Sequence, residues 1–141
     1  MSDPVNEVGQ PQPAGGALLQ KVSNALVALH KEQFGRGPTR VESHFAGADV
    51  LVCVMDDALL PAERAMVEMG EQQRVRESRL FSGAATAKQS IATVEALTGR
   101  TVRAFATATD PDRGVLMVNF VFEPDQHRDG PGPPTRPAAG R

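Results

Sequence analysis

Two stretches of this chain run in step: "FGRGPTRVESHFAGADVLVCVMD", starting at Phe34, and "TGRTVRAFATATDPDRGVLMVNF", starting at Thr98. Each leaves a helical pattern at Gly-Arg and continues as strand, turn, strand. The shared order restricts the fold more than any single motif does. Two helix-hairpin units can merge their ribbons into one sheet, and an amphipathic helix from each unit must then bury its apolar stripe against that sheet. The expected class is α+β, with two helix-hairpin units forming a four-stranded antiparallel sheet and the helices packed on one face.

The apolar spacing fills in the elements. Leu18, Leu19, Val22, Leu26 and Leu29 recur at helical intervals, so Ala17 to Phe34 should be an amphipathic helix that ends at Gly35. "TRVESHFA" and "DVLVCVMD" flank Gly47-Ala48-Asp49 and read as a hairpin. The second of these strands is apolar on both faces, as suits an inner strand or one that a neighbour covers. Pro61 is placed to open a helix that Gly70 closes or kinks. Glu71 to Thr98 should be mostly helical, with Leu80, Ala84, Ala87, Ile91, Val94 and Leu97 or Thr98 as the stripe on the sheet. A last hairpin turns at Asp110 to Gly114 and returns through "VLMVNFVFE". Domain limits follow from composition: residues 1–15 and 125–141 are rich in Pro, Gly, Gln and Asp and read as disordered tails around one domain at 16–124. The Pro-rich C-terminal tail reads as linker, or as a ligand for an aromatic groove.

Several function classes are disfavoured. The formal charge is only −2, with no Trp or Tyr and six Phe, so neither phosphate attraction nor base stacking is served and no nucleic-acid partner is expected. The N-terminus lacks the basic and apolar stretches of a signal peptide, and no apolar run is long enough for a membrane span. Cys53 lies alone in "VLVCVM", so a buried, reduced thiol and a cytoplasmic setting are expected.

Candidate chemistry is sparse. Gly35-Arg36-Gly37-Pro38 looks like an anion cradle, but it follows a helix, whose C-terminal end carries the wrong dipole sign for phosphate. Capping is the favoured reading: glycine ends the helix and the arginine stands near its last carbonyls, at Arg36 and again at Arg100. His30, His44 and His127 are too scattered for a metal, and His30 reads as the polar edge of its helix. Asp56-Asp57 suit a turn or cap. No nucleophile stands in a motif with a base, so no catalytic residue, metal or cofactor is assigned and no enzyme is expected. Arg74, Arg76 and Arg79 form the densest basic group, which is either a solvated helix face or a docking surface for an acidic protein partner.

"FGRGPTRV", "LLPAERAMVEMGEQQRVRESRLF" and "VEALTGRTVRAF" together carry a resemblance. Over about Leu29 to Phe122 the chain is similar to the MpsC-like family of small bacterial proteins. Leu60 departs from the family's usual Thr, and "SGAATAKQS" is an unusually small-residue stretch of the long helix. The resemblance implies a link to a sodium-translocating, membrane-potential-generating system, as an accessory component. It carries over no catalytic or ligand residue, and it leaves Arg36, Glu63 and Arg100 as motif positions with structural work. Two readings stay open. One is a non-catalytic interaction or regulatory protein that self-associates and has a protein partner, a membrane-complex component. The other is a small-ligand-binding domain using Arg36, Arg40 or Arg100 near the helix exits; two of them in one pocket would favour it.

Overall fold

The computed structural model describes residues 13–124. Its elements, in chain order, are α1 (Pro13–Phe34), β1 (Arg40–Phe45), β2 (Val50–Asp56), α2 (Pro61–Glu68), α3 (Gln72–Thr98), β3 (Val102–Asp110) and β4 (Val115–Phe122). The tails expected at 1–15 and 125–141 fall mostly outside the described residues; α1 begins at Pro13, four residues ahead of Ala17.

The four strands form one antiparallel sheet in the order β1-β2-β4-β3, so each hairpin contributes one edge strand and one central strand. The two central strands are the two most apolar ones. Strand alternation then sorts the side chains: Leu51, Cys53 and Met55 of β2 and Leu116, Val118, Phe120 and Phe122 of β4 point inward and are buried. α1 lies against them beneath β1, α3 lies beneath β3, and α2 packs on α3. Val22 and Leu26 of α1 and Val94 of α3 close this core. A buried hydroxyl pair, Ser23 Oγ to Ser43 Oγ at 2.7 Å, ties α1 to β1.

The stripe of α3 departs from expectation over its first half. Val94 is buried and Ile91 and Leu97 pack on the core, but Leu80 is 57% exposed, and the residues that face inward are Val75, Arg79 and Ser90. The inward face is thus rotated by one residue, about 100°. Gly83 and Thr86 lie on this face too, which lets α3 approach Thr107 of β3 closely.

The parallel between the units reaches atomic detail. Gly35 and Gly99 both adopt positive φ, 87° and 71°, and each donates its N–H to the helix, to Lys31 O and Glu95 O, both at 2.8 Å. The arginines that follow do not fold back on their own helices. Arg36 donates to the carbonyl of Asp57, the residue after β2, and Arg100 to the carbonyl of Glu123, the residue after β4. Each therefore closes its own hairpin, because a guanidinium can satisfy several carbonyls where a chain leaves a sheet.

Candidate functional site

Polar groups concentrate where α1, α2 and α3 meet. Arg79 of α3 is 4% exposed and forks onto Glu63 of α2, with Nε to Oε2 at 2.8 Å and Nη2 to Oε1 at 2.7 Å. Nη2 also donates to Ala58 O at 2.6 Å, and Nη1 meets His30 Nε2 of α1 at 3.2 Å. The guanidinium lies 4.3 Å from the centroid of the Phe34 ring, which itself contacts His30. A charge this deep is stable only when its donors are matched, and four bonds of this kind match most of them.

Glu63 serves two purposes. Its Oε1 accepts from the Leu60 N–H at 2.7 Å, the half of a capping box that survives although leucine supplies no side-chain oxygen. Pro61, with no N–H to satisfy, opens the same helix. Burial would raise the Glu63 carboxyl, but the Arg79 fork, the Leu60 N–H and the charges of Arg79 and His30 together hold it below its usual range.

His30 is 3% exposed, not a polar helix edge. Its Nδ1 is 2.8 Å from Arg36 O. A neutral ring with Nδ1–H donating to that carbonyl and Nε2 accepting from Arg79 satisfies both nitrogens. Burial, then repulsion from Arg79 and Arg36, lowers its pKa below the ordinary 6.5, against the pull of the Arg36 carbonyl and Glu63.

Arg36 continues the network outward. It donates to Leu59 O at 2.7 Å and to Asp57 Oδ2 at 3.1 Å, and Asp57 also pairs with Arg64. Asp57 has φ 55°, a left-handed geometry that aspartate tolerates better than most residues, so two arginines hold a sharp turn between β2 and α2. Arg100 forms a separate knot at the other end of the sheet, with Asp49 Oδ1 at 2.6 Å, Ala48 O at 2.8 Å and the Phe122 ring 4.7 Å from its guanidinium carbon. Arg40 is exposed and pairs with Asp56 and Glu42. Arg100 thus lies apart from Arg36 and Arg40, which bind the neighbouring carboxylates of Asp57 and Asp56.

The basic group on α3 also divides. Arg74 and Arg76 are exposed, Arg74 pairing with Glu71 at 3.1 Å, whereas Arg79 is the buried centre of the cluster. Arg79 therefore belongs to no exposed docking face with the other two. Sequence reasoning passed over Arg79 and His30 as core residues, although spacing could have found them: Arg79 stands four residues from Val75, and His30 four from Leu26 and eight from Val22.

Two hollows adjoin the cluster. Between α1, α3 and the sheet a cavity of about 50 Å³ is lined by Leu29, His30, Phe34, Arg79, Ser90 and Phe105 among others. It has room for a few waters, far below the roughly 300 Å³ at which small-molecule pockets begin. An open cleft of about 350 Å³ lies between α2 and the β3–β4 turn, where Asp57, Arg64, Asp112 and Arg113 share its wall. Neither hollow is lined by Arg36, Arg40 or Arg100. Among the described residues no three His, Cys, Asp or Glu side chains are grouped to hold a metal ion, and no helix is long and apolar enough to cross a membrane.

Apolar side chains remain uncovered elsewhere. Leu80 and Phe81 stand out from α3 at 57% and 81% exposure, above Ala84 and Ala85, and Met69 ends α2 at 73%. A family model described as "Na+-translocating membrane potential-generating system (MpsC)" matches residues 15–124. No curated protein and no solved structure matches the chain.

Proposed function

The chain belongs to the MpsC family, and from that premise we propose that it is a non-catalytic accessory protein of a sodium-translocating, membrane-potential-generating system, working at the cytoplasmic side through protein contacts. One contrast carries this reading. The residues best equipped for chemistry, Arg79, Glu63, His30, Arg36 and Arg100, are engaged in internal ties, while Leu80 and Phe81 project into solvent without internal work. A side chain of that size costs hydration when bare and repays it on docking. The α3 patch is the surface assigned to the partner, with the exposed Arg74 and Arg76 one to two turns before it as a basic flank.

The alternative, a ligand site built on Arg36, Arg40 or Arg100, has less support because none of them lines either hollow described above and each is engaged by a carboxylate of the chain. Affinity purification of the native protein from its own membranes separates the two. Recovery of sodium-translocating subunits with wild type, lost with Leu80→Ser/Phe81→Ser, is the expected result. Retention of those subunits by the double variant would contradict the assigned surface, and their absence throughout would contradict the accessory role.

A further inference from the structure

The helices cover one side of the sheet only. On the other, cross-strand register lines up Glu42, Val54, Met117 and Ala108 in one row and His44, Val52, Asn119 and Ala106 in the next. The two central strands thus present valines and a methionine outward, β3 presents alanines, and β1 presents a charged row. Val52, Val54, Val115 and Val121 are half-buried, and Met117 is 36% exposed. Four strands at a spacing of about 4.8 Å and about 24 Å of strand length make roughly 450 Å² of projected face. With side-chain relief this approaches the ~600 Å² per partner at the lower end of specific interfaces.

We propose that a second copy of this chain covers this face, the two sheets stacking about a twofold axis that runs along the strands between β2 and β4. Two observations select that occupant. The first is shape: such an axis lays β1 of one copy over β3 of the other, so the long side chains of Glu42 and His44 meet the alanines at 108 and 106, and bulk faces space. The second is charge. Arg40 and Asp110 occupy the same row at opposite edges, both partly exposed, and the axis sets each over the other's counterpart twice. Stacking at ordinary inter-sheet separation accommodates both.

Sedimentation equilibrium on the full chain tests the inference. The expected species is twice the 15.0 kDa protomer mass in the micromolar range. Ala106→Arg fills the space meant for His44 and is expected to weaken dimerisation by about tenfold or more, while Phe81→Ser leaves it unchanged. For orientation, His44→Cys/Ala106→Cys treated with a short bis-maleimide should give a covalent dimer, which neither single variant gives efficiently. Both changes are on exposed positions, and circular dichroism checks the fold. A monomer throughout, a dimer indifferent to Ala106→Arg, or cross-linking by His44→Cys alone would overturn the arrangement. A monomeric result would leave the proposed accessory role standing, since that rests on α3.

Discussion

Arg79→Met is the most informative perturbation of the fold. The substitution keeps the length and removes the charge, so it deletes the two-pronged bond to Glu63, the bond to Ala58 O and the contact with His30 Nε2 together. Both ionised side chains are nearly out of water, at 3% and 11% exposure, so solvent does not screen the loss. Leaving a buried carboxylate unpaired costs about 3–5 kcal/mol. Urea unfolding should show that loss at constant m, with a melting temperature lower by roughly 12 °C or more. Against a domain stability of about 5–15 kcal/mol the variant stays measurable or sits at the edge of folding. Glu63→Gln keeps an oxygen for the Leu60 N–H and loses only the charge, so it should cost less. The double variant should then be more stable than the two losses summed by about 1–3 kcal/mol. A cost below about 1 kcal/mol for Arg79→Met, or simple additivity, would refute the view that this pair organises the junction of the three helices.

Other outcomes follow from the same geometry. His30 is held below its ordinary pKa, so the unfolded chain takes up the proton first on acidification. Stability should be full above about pH 6.5 and fall as pH drops from there toward the lower folded-state value, a slope that urea titrations should find reduced in His30→Gln. Glu63 adds loss at more acid pH, because its lowered carboxyl gives stability above the usual carboxylate range that vanishes as pH falls through the folded-state value. Burial pushes the Cys53 thiol up to about 11 against the Ser43 hydrogen bond, so thiol reagents at neutral pH should label it only at the rate of unfolding; prompt labelling would show that the core is open there. Gly99→Ala has free space for its methyl group but must keep φ near 71°, so thermal melts should register about 1–2 kcal/mol of destabilisation.

Much of this fold was legible because two local signals agreed. Short apolar, β-branched runs in "VLVCVMD" and "VLMVNFVF" identified the strands, and glycines at 35 and 99 marked the helix ends with the geometry such ends require. Of the sheet order only the inner place of β2 was legible, from apolar residues on both of its faces. What escaped were side chains whose chemistry disguises their position. Arg79 and His30 look solvated by type, and although helical spacing puts them on buried faces, the partners that satisfy them lie 16 and 49 residues away along the chain. Leu80 misled in the opposite direction, since its hydrophobicity drew the α3 stripe one residue off and hid an exposed patch. Arg36 and Arg100 were expected to stand near the last carbonyls of their helices, yet their bonds cross to the far ends of their hairpins.

The most direct test of the account is sodium-dependent membrane potential, followed with a potential-sensitive dye in cells deleted for this gene and complemented with stable variants. Arg40→Gln, which alters an exposed arginine, should restore the potential as wild type does, whereas Leu80→Ser/Phe81→Ser should fold normally and fail to restore it. Restoration by the double variant together with failure of Arg40→Gln would contradict the account and return the work of the protein to its arginines.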